Sequence, residues 1–137
     1  NHNTMSVIRF GVSLEKDLLD ELDHYVEDNL LANRSQGIRR LISNYLVEKK
    51  WQCNNVVAGS ITLVYDHHKH DLLMKLTTIQ HEYHDVILSS QHFHLDDQNC
   101  LEVIAVRGKS RVLTQLADKL RAVKGVSHGK IGMTTTG

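Results

Sequence analysis

The stretch "SVIRFGVSL" near the start of the chain alternates with a period of two. Ile8, Phe10, Val12 and Leu14 fall on one face, and Arg9, Gly11 and Ser13 on the other. Such alternation marks a strand with one buried face. The next stretch is helical. In "LEKDLLDELDHYVEDN", Leu14, Leu18, Leu22, Tyr25 and Val26 recur at steps of three and four, with acids in the first turn where the helix dipole favours them. "NLLAN" interrupts the pattern. Ser35 is placed to cap a second helix, "QGIRRLISNYLVEKK", whose apolar stripe is Ile38, Leu41, Ile42, Tyr45 and Leu46. One short strand and two helices cannot bury the strand's backbone edge or the apolar face. The partner strand must come from a second copy, so residues 6–50 are expected to form an obligate dimer.

"EKKWQCNN" reads as the joint, with residues 51–55 as linker and Cys53 as a bystander within it. From Val56 the order is strand ("VVAGSITLVYD"), helix ("HDLLMKLTTIQHEYH"), strand ("VILSSQHFHL"), turn ("DDQN"), strand ("CLEVIAVRG"), helix ("SRVLTQLADKLRAV") and strand ("GVSHGKIGMT"). Residues 56–135 therefore read as a βαββαβ, ferredoxin-like domain. The fold class is α+β.

Histidine is the outlier of the composition. Seven of the ten lie between His67 and His94. His92 and His94 are two apart on an expected strand and share a face. Cys100 opens the partner strand of the same hairpin, so a local N,N,S cluster arises. His81 and His84, three apart, share one side of the preceding helix. Two imidazoles and a thiolate suit Zn, Cu or Ni, and spacing alone does not choose among them. The other reading is a solvent-facing edge hairpin with a small core cysteine. His84 alone reads as a surface residue or one that backs a ligand. His67, His68 and His70 read as a solvated turn rather than a second site.

The outward face of the first strand carries Arg9, Gly11 and Ser13. Paired in a dimer, two such strands make a ribbon that fits the major groove of DNA, where arginine grips guanine with two hydrogen bonds. Asn33, Arg34 and Ser35 begin the second helix, whose free N–H groups favour a phosphate. Basic and acidic residues balance at 16 each, and residues 1–50 hold seven basic and eight acidic side chains. Long-range attraction to DNA is therefore weak, and the basic groups must be focused locally. No apolar run is long enough to span a bilayer and no signal peptide is apparent. Two cysteines do not make a disulfide framework, which fits a cytoplasmic protein.

"RFGVSLEKDLLDELD" and "NRSQGIRRLI" resemble the ribbon-helix-helix DNA-binding fold. With "VYDHHKHDL", "QHEYHD", "HFHLDDQNCLEV" and "GVSHGKI" added, the chain resembles the NikR family of nickel-responsive repressors from about Ser6 to Met133. That resemblance implies a homotetramer, with intertwined ribbon dimers at the ends and four ACT-type domains in the middle. It implies one Ni(II) per chain in a square plane, held by His92, His94 and Cys100 with His81 supplied by a neighbouring chain. It also implies binding to a palindromic double-stranded operator, as of nickel-uptake genes, through the positions of Arg9, Gly11 and Ser13. Gly11 departs from the pattern, since many members carry Thr or Ser there. Gln36 and Arg40 stand where the family can be acidic. The alternatives are a ribbon-helix-helix regulator sensing another metal or a small molecule, and a metal enzyme using Glu82 or Glu102 as base. Four protein ligands in a plane leave the enzyme no open position, so it is not expected.

Overall fold

The computed structural model describes residues 6–135, which divide into two compact units, one up to Ser43 and one from Asn44. Each unit is described by itself.

In the first unit, α1 spans Lys16–Asp28 and α2 begins at Arg34, running to Gln52. Asn33 is the residue that caps α2: its side-chain Oδ1 accepts the Gln36 backbone N–H at 2.9 Å. This corrects the expected cap at Ser35, which lies inside the first turn. The helix starts two residues earlier than expected, and the residue three before Gln36 is the one placed to reach that N–H. The helices approach closely at Gly37, where a Cβ would lie 2.7 Å from Val26 Cγ2.

Residues Ser6–Glu15 belong to no helix or sheet. A strand is defined by its ladder, and among the described residues no strand pairs with this segment to complete one. The apolar face expected of it is open: Ile8 is 82% and Phe10 71% exposed. With Val12, Leu14, Leu18, Leu22, Tyr25, Ile38 and Leu41, Phe10 lines a groove of about 550 Å³.

The second unit contains β1 (Val56–Asp66), α3 (His70–Glu82), a 3-10 turn at His84–Val86, β2 (Ile87–His94), β3 (Asn99–Lys109), α4 (Ser110–Arg121) and β4 (Val126–Thr134). The sheet order is β2-β3-β1-β4 with every pair antiparallel, the arrangement a split βαβ dictates. Val57, Ile61, Leu63 and Tyr65 of β1 and Cys100, Ile104 and Val106 of β3 face inward. They pack with Leu72 and Leu76 of α3 and Leu113, Leu116, Ala117 and Leu120 of α4. The stretch expected as a free joint differs at its start. Residues 51 and 52 are the last turn of α2, and Trp51 is buried in this core, its indole N–H donating to the Thr134 carbonyl at 2.9 Å. Gly59 leaves room for it; a Cβ there would sit 3.2 Å from the indole and 2.5 Å from the Gly132 carbonyl oxygen.

Candidate metal centre

Register sets this site. Tyr65, Cys100 and His94 stand in one row across β1, β3 and β2, and Leu63, Glu102 and His92 in the next. Because alternate residues share a face, His92 and His94 emerge on the side where Cys100 and Glu102 are buried. β2 is an edge strand, and both imidazoles are exposed there while Cys100 is 3% exposed.

The His92 Nδ1 lies 3.9 Å from Cys100 Sγ. Bonds of about 2.3 Å to sulfur and about 2.1 Å to nitrogen place such a pair roughly 3.1 Å apart around one ion at a right angle, and about 3.6 Å apart in a tetrahedron. The pair is within a small side-chain adjustment of either. A soft sulfur beside imidazole nitrogen is the donor chemistry of a late first-row divalent ion, so these residues fit a metal such as nickel.

Behind His92 lies a polar cluster that sequence patterning alone does not assemble. Glu102 is 2% exposed, with Tyr65 donating to Oε1 at 2.7 Å, and Ser90 and Gln80 donating to Oε2 at 2.6 and 2.9 Å. Burial, then the bond to Glu102, pushes the Tyr65 phenol well above its ordinary range, so it remains an O–H donor. The Tyr65 hydroxyl is also 3.3 Å from His92 Nδ1, and His92 Nε2 stands 3.6 Å from Glu102 Oε2. With Nδ1 turned toward the sulfur, Nε2 faces a carboxylate, an arrangement that fixes the orientation of a ligating imidazole and raises its basicity. The signal was present in "CLEVIAV": an acid in the inward alternation of an otherwise apolar strand. Glu102 is occupied by three donors and Glu82 is exposed at the end of α3, so neither is arranged as a general base.

His81 is elsewhere. Its ring stacks on His84 at 5.9 Å, and its carbonyl lies 3.0 Å from His84 Nδ1. His84 Nε2 pairs with Asp85 at 2.8 Å. Among the described residues, no hydrogen bond, ion pair or ring contact joins His81 to His92, His94 or Cys100. His94 instead meets His67 edge to face, with centroids 4.7 Å apart.

In the first unit, Arg9, Gly11 and Ser13 are exposed along the segment that precedes α1. Arg34 is engaged in a two-point ion pair, Nε to Asp23 Oδ1 at 2.8 Å and Nη2 to Oδ2 at 3.0 Å, which holds the Asp23 carboxyl below its ordinary range. Asn33 spends its side-chain oxygen on the cap, and Ser35 is exposed beside it.

Comparison with known proteins bears on both units. The NikR C terminal nickel binding domain matches residues 58–134, and the ribbon-helix-helix protein, copG family, matches residues 8–49. A protein of Geobacter sulfurreducens is 53% identical over 131 residues, covering 95% of this chain and 94% of that protein. One from Syntrophus aciditrophicus is 47% identical, covering 96% of each. One from Pyrococcus furiosus is 47% identical, covering 97% of each. All three are provisionally named nickel-responsive regulators. The solved structure of an uncharacterised Thermotoga maritima protein shares the fold alone, with a TM-score of 0.54 at 13% identity over 59% of this chain and all of that one. On the match of both units and on identity near one half from end to end, the chain belongs to the NikR family of nickel-responsive regulators.

Proposed function

We propose that this protein is a nickel-dependent transcriptional repressor, a regulator rather than an enzyme, in which a metal centre in the second unit governs DNA binding by the first. The observation that carries the reading is the approach of His92 Nδ1 to Cys100 Sγ at 3.9 Å, with His94 in register beside Cys100 and Glu102 behind His92. His92, His94 and Cys100 of one chain and His81 of a neighbouring chain hold one Ni(II) per chain. His81 is suited to that part because it is exposed at the end of α3. When bound, Ni(II) supplies a link between two polypeptides and a preference for planar coordination.

The open groove between the leading segment, α1 and α2 supports pairing with a second copy, since a chain rarely leaves so continuous an apolar face in water. Two leading segments then form the antiparallel ribbon. Arg9 and Ser13 read base edges, the small Gly11 lets the ribbon lie close to the groove floor, and Asn33, Arg34 and Ser35 approach a phosphate at the start of α2. Arg34 shares its guanidinium with Asp23, so the phosphate contact falls chiefly to backbone N–H groups there. Two ribbon dimers in one homotetramer engage both halves of a palindromic operator, as of nickel-uptake genes. Fixing their separation raises affinity without new contacts. This regulation is cytoplasmic.

The test is a gel-shift series on a palindromic operator with the metal-free protein, with Ni(II) and with Zn(II). Ni(II) is expected to strengthen binding by at least tenfold and more than Zn(II) does. Equal affinity with and without Ni(II) would overturn the coupling.

A further inference from the structure

Asp23 and Arg34 form a polar pair that bridges the two helices of the first unit. Arg34 is the first residue of α2, and Asp23 stands eleven positions earlier, on α1. The guanidinium meets the carboxylate fork to fork, Nε on Oδ1 at 2.8 Å and Nη2 on Oδ2 at 3.0 Å. That is also the two-point geometry in which arginine recognises a phosphate. Other arginines of the unit are placed differently. Arg9, Arg39 and Arg40 are exposed and make no ion pair among the described residues. Asp23 therefore neutralises one particular cation, the one that opens α2.

The pair matters less to folding than to DNA. Its side chains are 58% and 45% exposed, and such a pair adds little to stability. A phosphate that takes the guanidinium, however, must displace Asp23 and leave that carboxylate beside a second anion. A free cation that neutralises a phosphate releases counterions, and this release drives binding to any sequence. A cation already matched to a carboxylate has little to offer. The first 50 residues hold seven basic and eight acidic side chains, so a few unpaired cations decide how strongly the unit is drawn to DNA in general.

We propose that Asp23 withholds Arg34 from the DNA backbone and so limits sequence-independent binding by the metal-free protein, leaving affinity to base contacts and to the metal. The proposal rests on the reading that α2 begins at the DNA backbone. The hydrogen bond from Arg34 holds the Asp23 carboxyl below its ordinary range, so the carboxylate keeps its charge at neutral pH and the block persists there.

The experiment titrates the metal-free full chain onto a fluorescent DNA duplex of random sequence, between about 50 and 200 mM salt. Asp23→Asn keeps the shape of the side chain and removes its charge. It is expected to bind at least about threefold more tightly near 100 mM salt, and log affinity should fall with log salt more steeply, by about 0.9 for each phosphate gained. Asp23→Ser removes the fork altogether and should do the same. Far-UV circular dichroism checks that both variants keep their helices. Arg34→Ala separates this mechanism from a general loss of negative charge: it should cost at least about threefold more in the Asp23→Asn protein than in the parent. Parental affinity and slope in both Asp23 variants would overturn the proposal. So would an equal cost of Arg34→Ala in the two backgrounds. Failure of the nickel reading shows elsewhere: Ni(II) would not strengthen operator binding by the parent, and these metal-free comparisons would stand unchanged.

Discussion

Glu102→Gln isolates the part that the buried carboxylate plays, because it conserves shape while changing what the group can accept. Ser90 and Gln80 both donate to Oε2, so the new amide keeps its oxygen there and turns its NH2 toward Tyr65. Tyr65, which donates to Oε1 in the parent, must then accept, and its proton swings toward His92 Nδ1, 3.3 Å away. That nitrogen is the one facing Cys100 Sγ. Stability should change little. Exchanging charged for neutral acceptors costs about 1 kcal/mol in each of two bonds, and relief of a buried charge, worth several kcal/mol in desolvation, offsets it. The net effect is expected within about 2 kcal/mol of the parent. Metal affinity behaves differently: losing the group that orients a ligating imidazole typically costs about 10- to 100-fold. Chemical denaturation of the metal-free protein reads the first quantity, and competition against a chelator for Ni(II) reads the second. A variant with parental Ni(II) affinity and an intact fold would refute the idea that Glu102 and Tyr65 set the ligating nitrogen of His92.

Three other perturbations test the first unit. Arg9→Ala is expected to abolish operator binding in a gel shift while dialysis shows unchanged Ni(II) uptake, and unchanged operator affinity would remove the ribbon assignment. Asn33→Ala deletes the cap on the Gln36 N–H and should cost about 1 kcal/mol in denaturant, whereas Asn33→Asp should restore most of it. Gly37→Ala gains about 1 kcal/mol of helix propensity but drives a methyl to 2.7 Å from Val26 Cγ2, and overpacking of about 1–3 kcal/mol should prevail. Adding Val26→Ala should recover part of that loss, and a lone Gly37→Ala more stable than the parent would show that the helices are less tightly seated.

The second unit was legible because β1, β3, α3 and α4 bury apolar faces against one another within one chain. The alternation in "VVAGSITLVYD" defines β1 at Val56–Asp66, and the same period in "CLEVIAV" sends Cys100 inward beside a hairpin that brings His92 and His94 to it. The leading segment shows the opposite case. Its period of two is just as clear, yet Ser6–Glu15 is in no sheet, because a ladder needs a partner and the described residues offer none there. His81 obeys the same logic: helical spacing brings it to His84, and among the described residues no contact joins it to Cys100. The polar run "EKKWQCNN" concealed Trp51, since one aromatic among charges looks like a joint until the core that receives it is known. The partnership of Glu102 with Tyr65, and of Tyr65 with His92, was not legible in the sequence. Sequence shows which side chains share a face, but whether a buried polar group has partners depends on strands 27 to 37 residues apart, joined by register. Local pattern therefore conveys direction and withholds partnership. The proposed chemistry lies in the second: Cys100 is a small buried residue on its own strand and becomes a donor only because His92 is brought to 3.9 Å by another.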